Sequence, residues 1–389
     1  MKLEIQNFGP IKKADIEFGD LTLLIGPQGS GKSLSLELLK LIIDKQHIIS
    51  TLRNYNYILN KKDAKNILDG YFGDGLSGLF QENTNISFDG SPFSPQNLLK
   101  TFIKQKASEI QKELVFYVPA QRILAISDGR PKNFMEFDTD TPYVLRRFSE
   151  ALRVFMQGGL GNPNMIFPIK SRLKGAIKKS INQTIFHDAK VVIDKNGNQR
   201  KMKLAIDKLT IPFMAWSAGQ KEFMPLLLAI YCLSGPPTQV IDKENYKWTI
   251  IEEPEMGLHP QAVLSVLLEI IELMQNGYRV VISTHSSIFP EFAWALNNLR
   301  TLSDEQFKIS MCEMFGIDKT STTATLFEEL KNKNIKAYYS AKQTDSYGVT
   351  FADISTLDAF SEDVSVSEWG GLSSFASKAS EIVSHYGEE

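Results

Sequence analysis

Cysteine is nearly absent: Cys232 and Cys312 are the only two in 389 residues. Two distant thiols cannot build a disulfide framework or, by themselves, a zinc site. That excludes a disulfide-stapled scaffold and fits a reducing, cytoplasmic setting. Histidine is scarce as well, and His47, His187, His259, His285 and His385 show no metal-ligand spacing. No apolar run approaches the roughly 20 residues that a membrane-spanning helix needs; the longest, such as Leu226 to Leu233, suit a buried helix, so no membrane partner is expected. The first residues alternate apolar and polar like a strand and lack the apolar core of a signal peptide. Excess charge is missing too. A formal net charge of −2 gives no overall pull toward nucleic acid or an anionic membrane, so either would need a local patch. Repeats, heptads and low-complexity segments are also lacking, which excludes a long coiled-coil arm.

What is present suits a large core, because 43% of the residues are apolar, enough for one large α/β domain with insertions or two modest ones. Strand patterns occupy 2–8, 14–18 and Leu21 to Ile25; Leu34, Leu38, Leu39 and Ile42 then recur at helical spacing over 32–45. Segment 46–112 is polar and turn-rich and reads as lying outside the sheet. Buried strands are expected at Leu114–Val118, Trp248–Glu253 and Tyr278–Thr284, and helices at Tyr143–Gln157, Ile169–Ser180, 220–233 and 260–275. Lys190–Asp194 and Lys201–Ile206, joined through Lys-Asn-Gly-Asn, read as a hairpin. Two or three helices fill 288–333, strand-like runs follow at Ala337–Ala341 and Gly348–Phe351, and a helix ends the chain near 372–385. Strands alternating with helices predict an α/β fold with a mixed or parallel central sheet, an N-terminal antiparallel β lobe and helical insertions.

Four segments carry chemistry. Gly26-Pro27-Gln28-Gly29-Ser30-Gly31-Lys32-Ser33 follows a buried strand and opens a helix, the context in which this spacing forms a phosphate loop. Its glycines let several N–H groups face one point, and the helix N-terminus adds its positive end. Lys32 would then reach the β- and γ-phosphates of ATP, and Ser33 would offer its hydroxyl to magnesium. Glu252-Glu253-Pro-Glu255 ends a buried strand, where one acid can hold the magnesium shell and the next can orient or deprotonate water. Ser217-Ala-Gly219-Gln220 opens an apolar helix: Ser217 reads as an N-cap, and the small residues permit close approach to an anion. His285, just beyond Val280-Val-Ile-Ser-Thr, either contacts a γ-phosphate or closes a turn.

The order of these segments, with Asn7-Phe-Gly-Pro-Ile, Tyr117-Val-Pro-Ala-Gln121-Arg122 and Glu252-Glu-Pro-Glu-Met-Gly-Leu-His259-Pro260, resembles the ABC-type P-loop ATPases of the RecF, SMC and OLD group. It is similar in particular to the compact AAA-like ATPases of bacterial phage-defence and toxin–antitoxin systems. The resemblance covers an ATPase core at 1–45, 112–130 and 205–300. It leaves 46–111 as an insertion, 131–204 as a helical insertion plus hairpin, and 301–389 as a C-terminal extension. It implies that Gln121 is the Q-loop residue sensing magnesium and the lytic water, that Glu253 is the general base with Glu252 behind the metal, and that His285 is the switch histidine. Ser217, Gly219 and Gln220 would meet the nucleotide of an opposite subunit, and Glu255 to His259 would line the seam of a head-to-tail homodimer. Trp216 and Ala218 depart from the transporter signature, and Glu252 stands where aspartate is commoner. Whether Gln121 or Arg122 points at the nucleotide stays open at this level.

The resemblance further implies an MgATP-driven switch that gates a separate effector. Asp353, Asp358 and Asp363 do not form the carboxylate pattern of the nuclease domain in OLD proteins, so no nuclease is expected. The second reading is an ATPase acting directly on DNA through Lys170, Arg172, Lys174, Lys178 and Lys179, joined by Arg146, Arg147 and Arg153. The third is a scaffold that holds ATP with little turnover.

Overall fold

The run Leu21-Thr-Leu-Leu-Ile has no polar face, and a strand of that kind needs cover on both sides. In the computed structural model, which describes residues 1–106, 111–162, 164–169, 171–194, 200–342 and 348–386, all five of these residues are buried. Leu23 and Ile25 face one apolar core, shared with Leu226, Ile270 and Ile282. Leu24 faces a second core, shared with Leu38, Ile250 and Val281. Helices therefore cover both faces.

Among the described residues one sheet has ten strands. In chain order these are β1 (Lys2–Phe8), β2 (Ile11–Glu17), β3 (Leu21–Ile25), β4 (Phe80–Phe88), β5 (Ser91–Phe93), β6 (Val115–Val118), β7 (Trp248–Glu252), β8 (Arg279–Thr284), β9 (Ile335–Lys342) and β10 (Val349–Asp353). Their order across the sheet is β5-β4-β1-β2-β10-β9-β3-β8-β7-β6. The half from β9 to β6 is parallel, and β5-β4-β1-β2 is antiparallel, the mixed sheet and N-terminal antiparallel lobe that the pattern predicts.

Two segments behave differently from the expectation. Segment 46–112 enters the sheet, with β4 paired to β1 and β5 forming the edge. The strand Phe-Gln-Glu-Asn-Thr-Asn-Ile-Ser-Phe buries fully only Ile86; near a sheet edge its polar residues stay wet, which hides the period-2 signal. The tail, read as an extension, lies in the middle of the sheet. β9 runs parallel to β3 and β10 runs parallel to β2, so this pair joins the antiparallel lobe to the parallel core.

The expected helix Ile169–Ser180 shortens to Gly175–Ile181, because Arg172 folds inward to the carbonyls of Pro236 and Gly159. The helix after the phosphate loop runs beyond its expected end, over Lys32–Asn54, with non-helical backbone at Asp44 (φ −102°, ψ 17°). There Asp44 turns its carboxylate to the N–H groups of Leu114 and Val115. The hairpin Lys190–Asp194 with Lys201–Ile206 forms as expected, inside a separate four-stranded antiparallel sheet; its turn at 195–199 lies outside the described residues. Helices Ile288–Leu299, Asp304–Met314 and Ser321–Ala324 fill 288–333, and Ser374–Tyr386 is the last.

Candidate functional site

Parallel pairing brings the loops together. Ile25 of β3 is level with Thr284 of β8, Ser283 of β8 with Glu252 of β7, and Ile251 of β7 with Val118 of β6. The chains leaving these four strands therefore emerge side by side on one sheet edge, the position at which open α/β sheets take ligands. They carry the loop 26–31, Gln121, Glu253 and His285.

The loop 26–31 uses left-handed backbone at Gly29 (φ 69°) and Gly31 (φ 75°), and Gly26 has φ 149°. A Cβ on Gly26 would lie 2.5 Å from the Ser340 carbonyl oxygen. Ser340 also places its hydroxyl 2.6 Å from that of Ser30 and bonds the Ile25 carbonyl. The floor of the loop is thus supplied by β9, from the far end of the chain. Lys32 Nζ curls back to the carbonyls of Gly26 (2.7 Å) and Pro27 (2.9 Å). Burial brings its ammonium down to about 8, against the raising pull of Glu253, Glu255 and Glu252. Gly31 offers no side-chain cap to the following helix, so the first N–H groups stay available to an anion.

Glu252 is buried, and Ala120 N–H donates to its Oε2 at 2.9 Å. Its Oε1 has no partner at hydrogen-bond distance. Burial raises the carboxyl above the ordinary range, while the Ala120 N–H and the Ser33 and Tyr117 hydroxyls pull it down. A buried carboxylate with an open oxygen beside a serine hydroxyl matches the hard-oxygen chemistry of magnesium. Ser33 and Glu252 fit that ion.

Glu253 has φ 42°, a left-handed conformation that costs a non-glycine residue about 1–3 kcal/mol. Its N–H donates to the Ser283 carbonyl at 2.8 Å. Its Oε1 lies 3.5 Å from His285 Nε2, both side chains being partly exposed. Glu255 points elsewhere: Oε1 accepts from the Thr284 hydroxyl (2.8 Å) and from the His285 N–H (2.6 Å). It fixes the backbone that carries His285. Sequence reasoning placed Glu255 in the acidic run and at the dimer seam but not against His285, since a contact across thirty residues leaves no periodic trace.

Ser217 caps the helix Ala218–Ser234 in a capping box, with Gln220 N–H bonding the serine Oγ and Gln220 Oε1 accepting from the Ser217 N–H. Trp216 is buried against Phe213, so this departure from the transporter pattern anchors the cap. Ser217 and Ala218 stand exposed. Gly219 backs onto the next loop: a Cβ there would meet the Gly257 carbonyl at 2.8 Å. None of the hydrogen bonds made by Ser217, Gly219 or Gln220 reaches residues 26–33 of the same chain.

Burial separates Gln121 from Arg122. Gln121 is exposed. Arg122 is fully buried and bonds the carbonyls of Glu222, Glu252 and Glu253. Its guanidinium points into the protein, toward those carbonyls. The candidate DNA surface also loses most of its arginines. Arg146 is buried against Tyr57 and the Gly70 carbonyl. Arg147 pairs with Glu113 and Arg153 with Glu150, and Arg172 is turned inward as above. Lys170 lies outside the described residues, while Lys174, Lys178 and Lys179 remain near the helix Gly175–Ile181, Lys179 within 3.4 Å of Asp318.

A family model described as "AAA domain, putative AbiEii toxin, Type IV TA system" matches residues 21–289. The Old nuclease of Escherichia phage P2 is 30% identical over 151 residues, covering 36% of this chain and 26% of that protein; the chain thus spans about a quarter of the length of this curated relative. Among solved structures, the SMC head bound to the C-terminal winged-helix domain of ScpA is 12% identical with a TM-score of 0.39, covering 90% of this chain and 96% of that one. The SMC head domain from Thermotoga maritima is 12% identical with a TM-score of 0.33, covering 90% and 97%.

Proposed function

The chain belongs to this AAA-domain family of P-loop ATPases, and from that premise we propose that it is an MgATP-driven dimeric switch that gates a separate effector in bacterial anti-phage defence. The observation that carries the reading is the split of the chemistry over two surfaces. The loop 26–33, Glu252, Glu253 and His285 share one sheet edge, whereas the capped helix end, exposed at Ser217 and Ala218, makes no hydrogen bond to that loop. The Ser217 side chain takes up the Gln220 N–H only, so the first N–H groups of this helix keep a partial positive charge that suits an anion. In a head-to-tail pair, the γ-phosphate held by one copy would supply it.

The resemblance and the geometry together support the following roles. The loop 26–31 and Lys32 bind the triphosphate, the lysine exchanging the Gly26 and Pro27 carbonyls for phosphate oxygens. Ser33 and Glu252 would hold magnesium, with Gln121 as the further ligand that the resemblance implies, and that ion would offset charge on the β- and γ-phosphates. Glu253 takes the proton of the attacking water. His285, steadied by Glu255, contacts the γ-phosphate side. Ser217, Gly219 and Gln220 close the site of the partner copy, so assembly and nucleotide state become linked equilibria.

The toxin–antitoxin wording of the family and the likeness to a phage nuclease support a place in phage–host conflict. Asp353, Asp358 and Asp363 each hold a nearby turn, bonding the N–H of Ser355, Phe360 and Ser365. That favours a chain without a nuclease centre; metal-dependent cleavage of plasmid DNA that disappears on removing one of these carboxylates would overturn the effector-gating reading. Ser217→Arg tests the dimer. It places bulk and charge on the exposed cap and leaves the loop 26–33 untouched. The expected result is MgATP affinity within about twofold of the parent, with loss of ATP-dependent dimerisation and at least a tenfold drop in turnover. Unchanged turnover in this variant would rule the composite site out.

A further inference from the structure

The resemblance offered Arg122 only as an alternative to Gln121 at the nucleotide, yet it is a fully buried cation. Its Nε donates to the Glu222 carbonyl at 3.0 Å, Nη1 to the carbonyls of Glu252 and Glu253 at 3.1 Å each, and Nη2 to Glu253 again at 3.1 Å. These three carbonyls come from two elements with different duties. Glu252 and Glu253 form the turn that presents the carboxylates to this chain's own nucleotide. Glu222 lies in the second turn of the helix that Ser217 caps. A planar guanidinium with donors in a fixed fork is the one side chain suited to binding such a cluster of carbonyls.

The geometry points to Arg122 as a positioning residue that ties the catalytic turn at Glu253 to the signature helix Ala218–Ser234, so that the parts one chain gives to two different ATP sites keep a fixed relation. Glu253 is held in its left-handed conformation from both ends, its N–H bound to Ser283 and its carbonyl to Arg122. Release of the carbonyl lets that backbone relax toward ordinary φ and swings the carboxylate off its line to water. The same release frees the helix at Glu222. A second close approach strengthens the link, since Gly219 in the first turn of that helix packs on the Gly257 carbonyl of the loop after Glu253. The phosphate loop takes no part, for no hydrogen bond of Arg122 reaches residues 26–33. Sites completed by two copies would in this way respond together: a shift of the helix on binding the partner's nucleotide reaches Glu253 through one guanidinium.

This inference rests on the proposed roles of Glu253 and Ser217, and its test separates the two. Arg122→Lys and Arg122→Gln are compared with Glu253→Gln in the full chain. A lysine keeps the charge but serves the three carbonyls from a single point; a glutamine keeps one donor group. The expected result is folded protein by thermal melting, MgATP affinity within about twofold of the parent, and kcat lowered at least tenfold. In the Glu253→Gln background, Arg122→Lys is expected to weaken the ATP-dependent dimer at least tenfold, a readout that a local effect on Glu253 would leave alone. Parental kcat in both variants overturns the positioning role. A fallen kcat with the dimer unchanged overturns the link to the helix. Unfolding of both variants overturns it in favour of a purely structural strut. If Glu253→Gln itself turns over ATP at the parental rate, the reading of the site fails, whatever Arg122 does.

Discussion

Glu253→Gln is expected to lower ATP turnover by about 10²–10⁴-fold, the range that a positioned general base supplies, while MgATP still binds. The backbone at Glu253 is set by Ser283 and Arg122 rather than by its own side chain, so the amide occupies the same place. It can still accept a hydrogen bond from water but cannot take the proton. The phosphates are held by Lys32 and the loop 26–31, which the substitution does not touch, so affinity should stay within about threefold of the parent. Hydrolysis is the step that would empty the composite site; blocking it should trap the nucleotide-bound dimer. Single-turnover assays measure the first effect, and sizing with and without MgATP measures the second. Turnover within about threefold of the parent would remove Glu253 as the base, and an assembly state indifferent to nucleotide would remove the gated dimer.

The second large effect concerns folding. Lys40, Asp44, Glu113 and Arg147 form a buried, charge-balanced group between the helix Lys32–Asn54 and the start of β6. Lys40 Nζ donates to Glu113 Oε1 (2.9 Å), Asp44 Oδ2 (3.0 Å) and the Val115 carbonyl (2.7 Å). Glu113 Oε2 accepts from Arg147 Nη2 (2.7 Å) and the Tyr246 hydroxyl (3.0 Å). Removing Glu113 takes the carboxylate from Arg147 and leaves Lys40 only Asp44 and the Val115 carbonyl, so the group keeps one positive charge in excess; breaking a buried pair in this way costs about 3–5 kcal/mol. Glu113→Ala is therefore expected to lower unfolding stability by about 3 kcal/mol, read from the urea midpoint. Arg147, partly exposed at 22%, can recover some hydration; Lys40, at 1%, cannot. A loss below about 1 kcal/mol would mean that water replaces the carboxylate at little cost.

The pH dependence of Glu113 and His47 has a definite sign. Burial opposes the charge on Glu113, yet Arg147, Lys40 and His47 hold its carboxyl well below the ordinary value of 4.5. A depressed carboxylate contributes stability that is complete above pH 4.5 and is lost as pH falls below it. Burial lowers His47 from 6.5 to about 4, so the unfolded chain takes up that proton first, and stability falls as pH drops from 6.5 toward 4. Acid unfolding of the parent should steepen across this window, and Glu113→Ala should lose the part below 4.5.

The sequence by itself determined the pieces whose cause is local. A phosphate loop needs its glycines, lysine and serine within eight consecutive residues, and a capping box needs Ser217 and Gln220 three apart; both conformations are dictated by neighbours in the chain. Buried strands such as Leu21–Ile25 and Trp248–Glu252 announce themselves because every residue must be apolar or cryptically satisfied. Only the tertiary structure decided which pieces meet. Ser340 under the phosphate loop, β9 between β3 and β10, Glu255 turned to His285, and Arg122 rather than Gln121 inside the turn are contacts across thirty to three hundred residues. Periodicity says that a residue is covered and never by what. An arginine that the chain offers only as an alternative to Gln121 becomes a cross-tie once packing brings three carbonyls to it, because a buried guanidinium must find acceptors wherever the fold provides them.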